Sequence, residues 1–259
     1  MSLLELASAV AKEAGALIRE GRSDLKVSHK GPVDLVTQLD LASEDLIRER
    51  FIQAEPTIPI LAEEKGGART ATTRWIIDPL DGTTNFVHGF PFYCVSIALE
   101  QSGVLTHGVI YDIPNDRLYA AAVGKGAHCN NRPLQVSTCS SLDKALIASG
   151  FAAERRPRAD FYLHFVKHFI ENAQGFRRCG SAAMDLAMLA DGQLDAYWEF
   201  GLNSWDVAAG ALIVAESGGC VGEIGGGPLN LNQPQILATN SALFQPLLQQ
   251  LSPLLAEIC

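Results

Sequence analysis

The chain has no apolar run long enough for a membrane. Its longest, "VAAGALIVA" at 207–215, falls well short of the ~20 residues a spanning helix needs. Nor is a secretory leader expected in the first residues. The N-terminal "MSLLELASAVAKEAGALIREG" is interrupted by Glu5, Lys12 and Glu13 and reads as an amphipathic helix. No CxxC pair occurs among Cys94, Cys129, Cys139, Cys179, Cys220 and Cys259. Scattered along a chain too long to need stapling, these are expected to be free buried thiols, with neither a disulfide framework nor a zinc site. Positive charge is scarce. The net charge is −9, and "ERRPR" (154–158) and "FRR" (176–178) are too short to form a basic patch, which argues against nucleic acid and anionic membranes as main partners. These absences lead to the expectation of a cytoplasmic globular protein. Such a chain would repel an anionic substrate unless a metal ion reversed the local sign.

What is present is an ordinary globular mixture, 47% apolar and 19% charged in 259 residues, enough for one large domain or two small ones sharing a core. Apolar residues at helical spacing predict helices over 3–20 and 38–54, separated by a glycine-proline break in "GPVDLVTQLD". After residue 56 the period shortens. "TIPILAEE", "RWIID", "FYCVSIALEQ", "VLTHGVIYDI" and "RLYAAAV" read as a meander of mostly antiparallel strands. The polar stretch "STCSSLDK" (137–144) divides 1–140, two helices plus an antiparallel sheet, from 141–259, where strands and helices alternate. The expected fold is α+β: a layered αβαβα sandwich with an N-terminal antiparallel-sheet half and a C-terminal mixed α/β half.

One stretch demands a closer look. In "WIIDPLDGTTNFVHG" (75–89) an apolar strand runs straight into Asp78, Pro79, Asp81 and Gly82. Asp-Pro and Asp-Gly are ordinary turn dipeptides. Two fused turns, however, can bring both carboxylates to one side. Thr83, Thr84 and Asn85 then read as the capped start of a short helix. A strand ending in carboxylates beside a helix N-terminus can hold a cation and an anion together.

Other acids sit at comparable places: Asp40 after "VDLVTQL", Glu63 and Glu64 after "PILA", Glu199 near the end of "LDAYWEF", and Asp206 opening the helix of "NSWDVAAG". For each alone a cap, a turn or a solvated strand end is explanation enough. As a set they place carboxylates at one edge of a core, where α/β-type folds bind ligands. Carboxylates gathered at ~4 Å repel by roughly 4 kcal/mol per pair at an effective dielectric of 20. They must bind cations or raise their pKa values. With neither His nor Cys among them, the donors select a hard ion, magnesium first and manganese or calcium next.

"WIIDPLDGTTNFVHG" resembles the signature of the inositol monophosphatase family of magnesium-dependent, lithium-sensitive phosphatases. "WDVAAG" (205–210) is similar to the family's second signature, and "VDLVTQLD", "LAEE" and "GSAA" (180–183) match further blocks in family order. The resemblance implies roles. Glu63, Asp78 and the Leu80 carbonyl hold one Mg²⁺; Asp78, Asp81 and Asp206 hold a second, with Asp78 bridging; a weaker third ion sits near Glu63, and Mn²⁺ can substitute. Asp40 orients Thr83, which positions the attacking water. The amides of Gly82 and Thr83 take phosphate oxygens, while Gly180, Ser181, Ala182 and Glu199 meet the rest of the substrate. The implied reaction is hydrolysis of a small phosphate monoester, inositol 1-phosphate first, by in-line attack of a metal-activated water, in a homodimer. Alternatives are fructose 1,6-bisphosphate, histidinol phosphate or nucleotide phosphates as substrate, or a regulatory partner protein without turnover.

Two further patterns carry no chemistry. "HFVKH" (164–168) lacks the glutamate of a zinc helix and reads as a solvated helix face. "GKGAHCNN" (124–131) does not lead from a strand into a helix and reads as a turn.

Overall fold

The computed structural model describes residues 1–31, 34–152, 155–232 and 235–256. Pro32 and Val33 of the expected glycine-proline break, Glu154 of the short basic cluster and Cys259 lie outside the described residues. Helix α1 (Leu3–Gly21) begins with a capping box: Ser2 Oγ accepts from the Glu5 amide and Glu5 accepts from the Ser2 amide. A short antiparallel hairpin follows, β1 (Val27–Gly31) and β2 (Asp34–Thr37). Thr37 then caps α2 (Gln38–Ala54).

An eight-stranded sheet comes next: β3 (Ile60–Ala62), β4 (Gly66–Gly67), β5 (Arg74–Asp81), and, after the short α3 (Thr83–His88), β6 (Cys94–Gln101), β7 (Val104–Asp112), β8 (Arg117–Ala122), β9 (Ala127–Cys129) and β10 (Arg132–Pro133). The spatial order is β10-β9-β8-β7-β6-β5-β3-β4, antiparallel throughout except that β3 runs parallel to β5. The second half supplies β11 (Leu146–Ser149), α4 (Ala159–Asn172), β12 (Gly175–Arg177), α5 (Ala182–Ala190), β13 (Ala196–Phe200), α6 (Ser204–Glu216), β14 (Gly219–Gly222), β15 (Gln235–Asn240) and α7 (Phe244–Ala256). Its five strands lie in the order β12-β11-β13-β15-β14, the first three parallel and the rest antiparallel.

The layers follow from alternation along the strands. Trp75, Ile77, Val95, Ile97 and Leu99 point to the α1/α2 core, whereas Ile76, Cys94 and Ala98 point to a core shared with α5 and α6. The five-stranded sheet alternates likewise: Ile147, Trp198 and Leu237 face α4 and α7, and Ala148, Tyr197 and Ala238 face α5 and α6. Both sheets are therefore covered on both faces, giving the expected αβαβα sandwich. Phe51 of α2 stacks on Trp75 of β5, ring centroids 4.2 Å apart, a contact worth about 0.5–1.5 kcal/mol beyond its buried area. It fixes α2 against the strand that carries the aspartates.

The structure corrects four local expectations. "DLVT", read only as part of the break between two helices, forms the returning strand of a hairpin. "AHC" within the expected turn 124–131 is β9, because Gly124 and Gly126, both at positive φ, end the turn before it. His164 and His168 are half-buried, not solvated, and His168 Nε2 lies 3.0 Å from Gln250 Oε1 of α7. The expected pair of fused turns at Asp78–Asp81 is an irregularity inside β5. Among the described residues, the five cysteines are free and no helix is long and apolar enough to cross a membrane.

Candidate active site

In β5, Asp78 pairs with Ser96 of β6 and Asp81 pairs with Cys94. Three residue steps on one strand match two on the other, so β5 carries one extra residue. Pro79, which has no N–H to give a ladder, sits in the bulge. The bulge folds back on itself: Asp78 Oδ1 accepts from the Leu80 amide at 3.0 Å. Gly82 then takes the left-handed conformation (φ 92°, ψ 33°) at the start of α3, and an added Cβ there would meet the Phe92 carbonyl at 2.9 Å. Only glycine turns this corner without strain.

The remaining groups converge from other elements of the fold. Thr83 Oγ1 lies 2.9 Å from Asp40 Oδ1 and 3.0 Å from the Leu80 carbonyl. Asp40, fully buried in the first turn of α2, also accepts from the Thr37 amide and hydroxyl at 2.8 and 2.5 Å. Glu63 follows β3 and receives Lys30 Nζ of the β1–β2 hairpin at 2.9 Å; the same ammonium reaches Glu64 at 2.6 Å. Asp81 Oδ2 accepts from Ser181 Oγ and the Ala183 amide, both at 2.7 Å. Asp206, three residues past the Asn203 cap of α6, accepts from the Asn203 amide at 2.6 Å. Asn85 ties the two halves together, its Nδ2 donating to the carbonyls of Phe92 (2.8 Å) and Cys179 (2.9 Å).

Glu199 is not a solvated strand end. It is 6% exposed, accepts from the Tyr197 hydroxyl, and its carboxylate lies where a Cβ on Gly150 would come within 1.9 Å of Oε2. Gly150 makes room for it.

Burial dominates the electrostatics. It raises Asp78 well above the ordinary carboxylate range, and the charges of Glu63, Asp81 and Asp206 push the same way. Asp206 is raised by burial and then by Asp81. Asp81 is lifted by burial to about 6, against the hydrogen bonds from Ser181 and Ala183. Glu63 is raised by burial while Lys30 pulls it down. Burial also carries Glu199 to about 7, opposed by the Tyr197 hydrogen bond and the Arg178 charge.

Glu63, Asp81, Gly82, Thr83, Gly180, Ser181, Ala182, Glu199 and Asp206 line one pocket of about 290 Å³. Asp40, Asp78 and Leu80 lie beneath its wall, each no more than 2% exposed. Four mutually repelling carboxylates with only oxygen donors match the chemistry of a hard divalent cation. Among the described residues no group of three His, Cys, Asp or Glu side chains is already placed to hold an ion.

Among the lining residues that the sequence reading did not assign, Arg178 and Asp185 bear on the electrostatics. Arg178 brings a positive charge toward Asp81, Asp185 and Glu199. Asp185 is buried in α5 with Oδ1 unpartnered, its pKa raised well above the ordinary value by burial and by Glu199. The available signal was a lone acid inside the otherwise apolar helix "AAMDLAMLA".

The family model for the inositol monophosphatase family matches residues 1–256. An inositol-1-monophosphatase from Synechocystis sp. is 44% identical over 253 residues, 96% of this chain and 88% of that protein. The Nus factor SuhB of Pseudomonas aeruginosa is 40% identical over 260 residues, covering 97% and 96% of the two chains. Among solved structures, the extragenic suppressor protein suhB from Bartonella henselae superposes with a TM-score of 0.91 at 38% identity, over 97% of this chain and 98% of the other. Bulge, left-handed glycine and convergent carboxylates thus stand within matches that run the length of both partners, and the chain belongs to the inositol monophosphatase family.

Proposed function

We propose that this pocket hydrolyses inositol 1-phosphate to inositol and phosphate. The chain is a metal-dependent phosphomonoesterase of inositol-phosphate-like substrates. The observation that carries the assignment to this pocket is the Asp40–Thr83 pair, 2.9 Å apart, set beside four carboxylates with raised pKa values. In this reading Glu63, Asp78 and the Leu80 carbonyl hold one magnesium ion, and Asp78, Asp81 and Asp206 a second. A weaker third would stand near Glu63, and manganese would substitute. Bound there, the ions supply positive charge to the phosphate and acidity to a coordinated water.

The chain's own groups do the rest. Asp40 accepts the Thr83 proton, which leaves the Thr83 oxygen free to accept one from the attacking water. Phosphate oxygens lie against the amides of Gly82 and Thr83. Glu199, with the backbone of Gly180, Ser181 and Ala182, takes hydroxyls of the leaving alcohol. A carboxylate only accepts hydrogen bonds, so Glu199 suits a polyol and disfavours a second phosphate. The site sits where the halves 1–140 and 141–259 meet, in a cytoplasmic homodimer.

A panel of inositol 1-phosphate, fructose 1,6-bisphosphate, histidinol phosphate and nucleotide monophosphates, assayed with magnesium and with EDTA, tests the assignment. The highest kcat/KM is expected on inositol 1-phosphate. A higher value on any other member would reassign the substrate. A second reading, partner binding without turnover, draws on the relative named as a Nus factor; no turnover on any member of the panel would favour it.

A further inference from the structure

Helix α2 buries polar side chains where a helix normally buries apolar ones. Asp40, Ser43 and Glu44, at spacings that share one face, are all 0% exposed. Each is bonded to a different segment of the site. Asp40 meets Thr83 of α3. Ser43 Oγ donates to the Pro79 carbonyl at 3.0 Å, inside the bulge between Asp78 and Leu80. Glu44 accepts from the amides of Glu64 at 2.8 Å and Lys65 at 3.1 Å, the two residues directly after Glu63. Its other neighbour on the helix, Arg48, pairs with it at 2.7 Å and donates from Nη2 to the Gly66 carbonyl at 2.6 Å.

Helix stability does not call for this arrangement. Leu39, Ile47 and Phe51 already anchor the buried face of α2, and apolar side chains at 43 and 44 would fill the seam without the desolvation cost of a buried carboxylate. The three bonds instead tie the turn after β3, the bulge of β5 and the start of α3 to a single rigid helix. These are the segments that carry Glu63, Asp78, Asp81 and Thr83.

We infer that Ser43, Glu44 and Arg48 are positioning residues, and that α2 is the common template holding Glu63 and the Asp78–Asp81 bulge in register for a divalent cation. The inference rests on the metal-site reading above and gives the cation site residues that touch neither metal nor substrate. Partners of this kind, one bond removed from the ligands, typically change metal affinity about 10–100-fold when lost.

Mn²⁺ binding to the metal-free protein, read as loss of the free-ion signal in electron paramagnetic resonance without substrate, tests it. Glu44→Gln keeps the volume but leaves one acceptor oxygen where two served the Glu64, Lys65 and Arg48 donors. Its Kd is expected to rise about 10–100-fold. Ser43→Ala removes one hydroxyl and should raise Kd about two- to tenfold, the worth of one hydrogen bond. Phe169→Leu, in the α4 layer on the far side of the molecule, should lower Tm without moving Kd, which separates positioning from general loss of stability. Near-UV circular dichroism establishes that each variant is folded. Should Glu44→Gln not fold, Ser43→Ala decides alone. Folded variants at 43 and 44 that bind Mn²⁺ within twofold of wild type would overturn the template role. A wild-type protein that binds no Mn²⁺ would overturn the metal-site reading and the template role with it.

Discussion

Replacing Glu199 by Gln removes one charge and almost no volume from a carboxylate confined by Gly150 and Tyr197. A hydrogen bond from a substrate hydroxyl to a charged acceptor is worth roughly 1.5–3 kcal/mol, so kcat/KM for inositol 1-phosphate at pH 8 is expected to fall roughly 10- to 150-fold. Glycerol 2-phosphate offers little ring to hold and should lose far less. The advantage of wild type over Glu199→Gln should shrink as pH falls through 7, because the carboxyl, raised to about 7, takes up its proton there. Stability should move the other way. The folded state binds this proton more tightly than the unfolded chain, whose value is 4.5, so the stabilisation is full below about pH 4.5 and lost as pH rises through 7. The gap amounts to about 3 kcal/mol at ~1.36 kcal/mol per pH unit, an order of magnitude only. Metal-free Glu199→Gln should therefore unfold at a higher Tm than wild type at pH 8 and at nearly the same Tm at pH 4.5. Equal kcat/KM losses on both substrates would show that Glu199 serves the metal site. No loss on either would reduce it to a buried structural carboxyl.

Asp81→Asn and Asp206→Asn should each abolish turnover in a folded protein; retention of more than about a tenth of wild-type kcat under saturating magnesium, a cost near 1.4 kcal/mol, would refute the ligand assignment. Thr83→Ala and Asp40→Asn should depress kcat strongly while Mn²⁺ and substrate still bind, and a loss of metal affinity with unaltered kcat at saturation would refute the role given to that pair. Gly150→Ala should displace the Glu199 carboxylate and reproduce the substrate-selective loss of Glu199→Gln, since the added methyl group would fall within 1.9 Å of Oε2; a variant with wild-type kinetics on inositol 1-phosphate would show that the carboxylate needs no such fixed place.

Much of this molecule was legible in its sequence from where its apolar residues and its glycine and proline breaks fall. The helix expected at 38–54 is α2 (Gln38–Ala54), and the strands at "FYCVSIALEQ" and "VLTHGVIYDI" are β6 and β7. Acids at strand ends and helix starts were visible because nothing local required so many of them. Legibility failed where polar residues are buried. Ser43 and Glu44 drew no notice, since their partners Pro79, Glu64 and Lys65 lie 20 to 36 residues away and no local pattern encodes them; Asp185 is buried by the packing of α5, which the sequence of that helix does not specify. At Asp78–Asp81 the composition of a turn was right and its geometry was not. Pairing with β6, a tertiary contact, holds the segment in the strand and turns Pro79 into a bulge. Taken alone, without the family resemblance, Glu199 was explained equally well as a solvated strand end, because burial there depends on Gly150, 49 positions earlier.

The most direct measurement is phosphate release from inositol 1-phosphate as magnesium is titrated into EDTA-treated protein, alongside Asp78→Asn. Wild type should rise from background to full turnover with added magnesium and return to background on chelation. Asp78→Asn, lacking the carboxylate that the charges of Glu63, Asp81 and Asp206 surround, should stay near background at every magnesium concentration. Turnover that survives chelation, or an Asp78→Asn variant that matches wild type, would contradict a metal-dependent phosphatase built on these carboxylates.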